Sequence, residues 1–303
     1  MSKFTDDMRT ILGDPNYHAQ CMQIAPFGVD RCALLFEIGT QEHDVAYSVV
    51  FEVAGFNPNT ARQIFKIDRW LTSLTSPDPA RLFALEVGRT VWKYESGGWT
   101  SAKFATSLMQ RVWSSDQSLT LLVGDNGQSW ESAAAAWSPL DPDAKRRLRD
   151  VHGPERSLVH SVGEFGTIQR LAGNGWEALD VPIEDDLWGV FVTPGGVVRA
   201  AGNHGTCVRV VDEELIHIEA PDNRFFSVHQ FQGETYWGDS GFGIYREKGD
   251  RLLEFHDTGT GWDIRSDPDY MYVVGGGIAW RFDGRRWNSL QLDYDGNDLL
   301  LIQ

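Results

Sequence analysis

A short apolar run that ends in glycine recurs six times along the chain, and this repeat constrains the fold more than any other feature. The runs end at Gly88, Gly124, Gly163, Gly202, Gly238 and Gly275. The steps between these glycines are 36, 39, 39, 36 and 37 residues. A period of this length is typical of architectures in which each unit packs against its neighbours.

Each unit has the pattern of four short β-strands. In the clearest unit, residues 187–192 (LWGVFV) lead through a Thr-Pro-Gly-Gly turn into VVRAAG, followed by TCVRVV and LIHIEA. The apolar residues alternate with period two and turn residues interrupt them often, which excludes a helical solenoid. Four strands in about 35 residues match a β-propeller blade. A β-sandwich is the competing interpretation, but the recurring glycine favours the propeller.

The number of blades follows from the strands outside the six units. Three strands lie upstream, within residues 32–67, and one apolar strand lies downstream at 299–303. Together they predict an all-β, seven-bladed β-propeller whose last blade is closed by N-terminal strands plus the C-terminal strand, which leaves no open sheet edge. Six blades with an N-terminal subdomain is the alternative. Residues 1–30 are expected to form an N-terminal segment, and residues 31–303 a single propeller domain.

Two segments have the pattern of a helix rather than a strand. One is Asp6–Leu12, within the N-terminal segment, and the other is Asp143–Asp150, which carries four basic residues.

The charge and the cysteines restrict partners and compartment. The chain has 27 Lys and Arg against 43 Asp and Glu, a net charge of −16, which repels phosphate backbones and anionic membranes. We therefore predict a basic protein partner and neither a nucleic acid nor a membrane partner. An odd number of cysteines, Cys21, Cys32 and Cys207, without metal-ligand spacing favours a reducing compartment. No signal-like segment opens the sequence, so a cytoplasmic location is expected.

The repeats resemble those of a known group of propellers. The pattern VGxxGxIxRxxGxxW, which runs from Val162 to Trp176, resembles the repeats of photosystem assembly factors and of sialidase-like propellers. Residues 125–130 (DNGQSW) are similar to the Asp-box turn of sialidases but lack its leading serine. The resemblance covers about three quarters of the chain and implies a fold. In those families the Asp-box is a structural turn remote from the active site, so the match implies no catalysis.

The sequence contains none of the motifs that would indicate an enzyme. Its glycine-rich stretches lie between predicted strands rather than before a helix, and the eight histidines lack metal-ligand spacing. We therefore predict a non-catalytic protein without metal or cofactor. A glycosidase or lyase is the alternative from a different class, with Asp125, Glu164 and Asp239 as its candidate acids.

A propeller brings two sets of loops to one face: those joining the second and third strands of a blade, and those joining successive blades. By sequence this face holds eleven carboxylates and one arginine, Arg89. The predicted partner-binding residues are Asp125, Glu164, His204, Asp239, Glu184, Asp185, Asp186, Asp222, Asp257 and Asp295. Asp and Asn also populate β-turns for local hydrogen bonding, so a merely solvated surface is the competing interpretation.

These observations predict a protein-binding propeller. Its most concrete form is a bacterial immunity-type inhibitor that neutralises a basic toxin or effector through the acidic face. An assembly or chaperone scaffold is the alternative. Tryptophans near the start of first strands, such as Trp113, Trp188 and Trp262, are expected to pack between blades, with a carbohydrate-stacking platform as the other interpretation.

Overall fold

A computed structural model describes residues 11–12, 17–40, 46–103, 108–115, 119–133, 136–141, 145–295 and 298–303. Within these residues the strands form seven antiparallel sheets of four or five strands, numbered here as blades 1 to 7 in chain order. The predicted all-β, seven-bladed propeller is confirmed. No helix in these ranges has the length and apolar composition needed to span a bilayer.

The first three blades contain twelve strands. Blade 1 comprises β1 (Tyr17–Pro26), β2 (Arg31–Thr40), β3 (Ala46–Ala54) and β4 (Arg62–Ile67). Blade 2 comprises β5 (Leu71–Asp78), β6 (Arg81–Glu86), β7 (Thr90–Glu95) and β8 (Gly98–Lys103). Blade 3 comprises β9 (Met109–Ser114), β10 (Thr120–Gly124), β11 (Ser129–Ala133) and β12 (Ala136–Leu140).

Four further blades complete the ring. Blade 4 comprises β13 (Leu148–His152), β14 (His160–Gly163), β15 (Ile168–Ala172) and β16 (Gly175–Ala178). Blade 5 comprises β17 (Leu187–Val192), β18 (Val198–Gly202), β19 (Cys207–Val211) and β20 (Glu214–His217). Blade 6 comprises β21 (Phe225–Phe231), β22 (Glu234–Asp239), β23 (Gly243–Lys248) and β24 (Arg251–Asp257). Blade 7 comprises β25 (Asp263–Ser266), β26 (Met271–Gly275), β27 (Ile278–Phe282), β28 (Trp287–Tyr294) and β29 (Leu299–Ile302).

The first strand of each blade contributes one aliphatic residue to the core between blades. Each of these residues is at most 3% exposed, and each belongs to a different hydrophobic cluster. They are Ile24, Leu74, Val112, Val151, Val190, Val228 and Ile264. Burying a side chain of this size stabilises the fold by roughly 1.5–3 kcal/mol. A sevenfold layer of aliphatic side chains therefore holds the inner strands together.

The recurring glycine has a steric cause. At Gly124, Gly163, Gly202 and Gly275, a Cβ atom would collide with a backbone carbonyl of the segment that enters the same blade. Only glycine allows the chain to pass so closely at the end of the second strand.

Two of the six predicted glycines occupy a different position. In blade 2 the equivalent residue is Glu86, which pairs with Leu71, and in blade 6 it is Asp239, which pairs with Phe225. Gly88 and Gly238 therefore lie near the repeat position but not at it.

The predicted closure of the ring is wrong. Blade 1 is complete because β1 supplies its innermost strand, and β29 pairs with β28 as a fifth strand of blade 7. The ring instead closes through contacts between blades 1 and 7, including a hydrogen bond from the Cys21 amide to the Gly276 carbonyl at 2.6 Å. A β-bulge between Cys21 and Gln23 breaks the alternation of apolar residues in β1, so the pattern concealed this strand.

Arg281 joins the first and last blades. Its guanidinium donates to the Asp30 carboxylate at 2.6 Å and to the Gly55 carbonyl at 3.0 Å. It also lies 5.1 Å from the ring centre of Phe56 and 4.2 Å from that of Tyr270. One nearly buried cation thus connects two blades that are distant in sequence.

The boundary expected after residue 30 falls inside blade 1, because β1 begins at Tyr17. Ile11 and Leu12 are helical, and Ile11 packs into the core shared by blades 1 and 7. The rest of the first predicted helix lies outside the described residues. The second predicted helix is wrong: Leu148–His152 is a strand, and Lys145 to Arg147 lead into it without helical structure.

Candidate functional site

The loops between second and third strands and the loops between blades lie together on one face, called here the entry face. Direct backbone hydrogen bonds join the two sets. The Glu164 amide donates to the Arg147 carbonyl and the Asn203 amide to the Asp186 carbonyl, both at 3.0 Å. The predicted site residues are therefore brought to one side of the ring, and their individual roles differ.

Three of the predicted carboxylates belong to an ion-pair network with two arginines. Arg147 Nε lies 2.7 Å from Asp125 Oδ1, and Arg147 Nη1 lies 3.6 Å from Glu164 Oε1. Arg149 Nη2 lies 3.4 Å from Glu164 Oε1 and 2.9 Å from Asp186 Oδ2. The two arginines therefore neutralise much of the negative charge of these carboxylates.

The sequence-based count of one arginine on this face is wrong. Arg146, Arg147 and Arg149 enter blade 4 here, and Arg224 precedes β21. The false helix concealed the first three, because a helix would have removed them from the loops. The entry face has mixed charge near blade 4.

Asp239 is fully buried and organises a turn. Its Oδ1 accepts the backbone N–H groups of Gly241, Phe242 and Gly243 at 3.1, 2.8 and 2.7 Å. Its Oδ2 accepts from the Asn223 side-chain amide at 2.6 Å. These bonds occupy the carboxylate, so Asp239 is unsuited to contact a partner or to act as a catalytic acid.

His204 and Asp185 form an exposed pair. His204 Nδ1 lies 2.8 Å from Asp185 Oδ1, and the Thr206 hydroxyl donates to Asp185 Oδ2 at 2.6 Å. The hydrogen bond from Thr206 and the contact with His204 lower the pKa of Asp185, and Asp185 in turn raises the pKa of His204. Because the His204 side chain is 75% exposed, this pair is accessible to a partner.

Four more predicted residues, Glu184, Asp222, Asp257 and Asp295, are exposed at the same face. Asp257 and Asp295 each accept a backbone N–H in their own turn, as the turn interpretation expected. Of the predicted carboxylates, Glu184 and Asp222 are therefore the most available to a binding partner.

Seven side chains form a ring at the mouth of the central channel, and the sequence pattern did not reveal them. In six blades a β-bulge interrupts the pairing of the first and second strands near the entry face. In blade 7, Trp262 occupies the corresponding place, and its backbone N–H donates to the Val274 carbonyl at 2.9 Å. The bulge ring consists of Met22, Thr72, Gln110, Arg149, Trp188, Phe226 and Trp262, all half-buried.

Blades 5, 6 and 7 make one side of the bulge ring aromatic. The Phe226 ring centre lies 6.0 Å from that of Trp188 and 4.3 Å from that of Trp262. The Arg149 guanidinium lies 3.9 Å from the Trp188 ring centre, and that of Arg224 lies 5.2 Å away. Trp188 and Trp262 are thus only partly buried at the mouth, whereas Trp113 is buried between blades as expected.

Below the bulge ring, charged side chains cross the channel. Arg111 Nε lies 3.0 Å from Asp150 Oδ1, and Arg111 Nη2 lies 3.1 Å from Asp263 Oδ1, which also contacts Arg265 Nη2 at 3.0 Å. Burial raises the pKa of Asp263 to about 7, although Arg111 opposes the shift. Burial likewise raises the pKa of Asp150, whose Oδ2 accepts the Val190 amide at 2.9 Å. This charged belt separates the two mouths of the channel.

The opposite mouth opens into a cavity of about 390 Å³, lined by residues from all seven first strands. Across the part of the chain that the structure describes, no three His, Cys, Asp or Glu side chains are grouped to hold a metal ion. The three cysteines are buried free thiols.

No protein-family model matches the sequence, and no curated protein matches it. Solved structures do: YCF48 bound to a D1 peptide is 15% identical, with 77% of this chain and 91% of that chain covered and a TM-score of 0.57. Sqt1 of Saccharomyces cerevisiae is 10% identical (94% and 96% covered, TM-score 0.64). The extracellular domain of BT4673 from B. thetaiotaomicron is 14% identical (91% and 39% covered, TM-score 0.65). These similarities confirm, at the level of fold, the resemblance to photosystem assembly propellers.

Proposed function

We propose that this protein is a non-catalytic, protein-binding propeller whose partner docks on the entry face over the bulge ring. The observation that carries the proposal is the aromatic side of that ring, where Trp188, Phe226 and Trp262 lie side by side and are only partly buried. Tryptophan and arginine dominate binding energy when they lie at the centre of an interface. Arg149 and Arg224, stacked on Trp188, complete such a centre.

The charge around the ring favours a basic partner. The chain has a net charge of −16, and Glu184 and Asp222 are exposed on the same face. Complementary charge at the rim of an interface accelerates association and improves specificity. We therefore expect the partner to insert an aromatic or aliphatic side chain at the ring and to place Lys or Arg toward these carboxylates.

The YCF48 structure with a D1 peptide supports this mode of binding, because that propeller has the same fold and holds a peptide. The specific form that we propose is inhibition: the partner is a basic toxin or effector, and the propeller covers its functional surface. An assembly scaffold that holds a peptide segment is the alternative.

The test is selection of displayed random peptides on the immobilised full chain. We expect enriched peptides with an aromatic or aliphatic residue beside Lys or Arg. The double variant Trp188→Ala/Phe226→Ala should lower their affinity at least tenfold, about 1.4 kcal/mol.

Charge reversal supplies a matched control. Glu184→Lys should slow association and weaken its dependence on salt, whereas Glu254→Lys, an exposed residue on the outer strand β24, should not. The proposal fails if no peptide family is enriched, or if the double variant binds the enriched peptides as tightly as the unmodified protein does.

A further inference from the structure

The cavity at the mouth opposite the entry face has features of a second binding site. Every first strand contributes the residue that follows its aliphatic core residue. These residues are Ala25, Thr75, Trp113, His152, Phe191, His229 and Arg265. At about 390 Å³, the cavity lies at the small end of the range of ligand pockets, roughly 300–1,000 Å³.

Four rings from consecutive blades form a continuous aromatic arc along one side of the cavity. The ring centres of Trp113 and His152 lie 5.7 Å apart, those of His152 and Phe191 4.7 Å, and those of Phe191 and His229 4.6 Å. Blades 1 and 2 contribute the small Ala25 and Thr75 in the equivalent places, so the open space faces the arc. This shape suits a flat ligand.

The hydrogen bonds of the two histidines define different tautomers. His152 Nδ1 accepts the Val192 amide at 3.0 Å, so its proton is on Nε2. His229 Nδ1 lies 3.1 Å from the Gln230 carbonyl, which can only accept, and 3.3 Å from the Ser266 hydroxyl. That hydroxyl donates its own proton to the Gln230 carbonyl at 2.9 Å, so the His229 proton is on Nδ1 and Nε2 is an acceptor. Among the described residues neither Nε2 has a hydrogen-bond partner, and both remain accessible from the cavity.

The described residues that line the cavity include one charged side chain, Arg265. Burial, with smaller contributions from His229 and Arg111, lowers the pKa of His152 well below its ordinary value, and burial lowers that of His229 to about 4. Arg265 is paired with Asp263. A cationic ligand would lose its hydration here without finding an opposite charge, and an anionic ligand would have to compete with Asp263 for Arg265.

We infer that this cavity binds a small, neutral, planar heteroaromatic molecule of nucleobase size. The ring lies against the arc of Trp113, Phe191 and the imidazoles. One ring acceptor accepts a hydrogen bond from His152 Nε2–H, and one ring N–H or amino group donates a hydrogen bond to His229 Nε2. The site is independent of the entry face, because the charged belt of Arg111, Asp150 and Asp263 lies between them.

Long-range proton–nitrogen NMR spectra of the ¹⁵N-histidine-labelled full chain test the inference. The probes are uracil, cytosine and adenine, with benzoate and benzylamine as charged rings of similar size. We expect at least one neutral heterocycle to shift both Nε2 signals saturably, and both charged rings to bind at least tenfold more weakly.

Variants locate the site. His152→Phe and His229→Phe should each weaken the binding of that heterocycle at least tenfold, whereas Trp188→Ala, at the other mouth, should not change it. The spectra of the unmodified protein decide the question even if a histidine variant does not fold. Absence of saturable shifts with all three heterocycles up to 10 mM (about −2.7 kcal/mol), or equal binding of the charged rings, would overturn the inference.

Discussion

Replacing Asp239 by alanine tests whether this residue serves the fold rather than a partner. The substitution removes one acceptor from three backbone N–H groups, those of Gly241, Phe242 and Gly243, and from the Asn223 amide. A hydrogen bond to a charged group contributes about 1.5 kcal/mol, so the four sum to about 6 kcal/mol. Water that enters the vacated space recovers part of this, and we expect a loss of about 3–5 kcal/mol. Such a loss is a large fraction of the roughly 5–15 kcal/mol that stabilises most domains.

Asp283 provides the matched control. It also accepts two backbone N–H groups, those of Arg285 and Arg286, both at 2.7 Å, but in an exposed turn. Because water can replace the acceptor there, Asp283→Ala should cost far less. Urea unfolding, followed by tryptophan fluorescence, measures the free energy of unfolding of both variants, and we expect the m-value to stay unchanged. An equal loss in the two variants would refute the structural role assigned to Asp239.

Three further predictions concern the glycine repeat, the cavity and the thiols. Gly163→Ala should destabilise the fold by about 1–3 kcal/mol, because a methyl group would overlap the Arg147 carbonyl. Gly98→Ala, which has open space around it, should not, and thermal unfolding of the two variants tests the difference. Since the pKa of His229 falls from 6.5 unfolded to about 4 folded, its contribution to stability is complete above pH 6.5. This contribution is lost as the pH falls toward 4, by up to about 1.4 kcal/mol per pH unit. The free energy of unfolding, measured with urea at pH 7 and pH 5, should therefore change less in His229→Phe than in the unmodified protein. Burial raises the pKa of Cys32 to about 12, so a thiol reagent should modify it and the other two cysteines only after unfolding.

The sequence allowed the fold to be predicted because the repeat has a direct steric origin. In four blades a glycine is required where the entering chain crosses the end of the second strand, as at Gly163 and Gly202. The same reasoning failed where a polar residue replaced the glycine. Asp239 stands at that position and is held by its own turn, so the apparent repeat at Gly238 was displaced by one residue.

The candidate site was less predictable because β-bulges break the alternation on which strand patterns depend. Trp188 and Phe226 follow the first core residue of their strands, where simple alternation fails to place them. The cluster of basic residues at the start of blade 4 suggested a helix, although two of them, Arg147 and Arg149, are ion-pair partners of Asp125 and Glu164. Ion pairing between blades depends on the ring geometry, which the local sequence does not encode.

The most direct test of docking at the bulge ring is the indole region of a proton–nitrogen NMR spectrum, recorded while a display-selected peptide is added to the full chain. Tryptophan-to-phenylalanine variants assign the signals. We predict that the indole signals of Trp188 and Trp262 shift saturably while that of Trp113, beyond the charged belt, stays in place. Shifts at Trp113 with none at Trp188 and Trp262 would contradict the account and place the peptide at the opposite mouth.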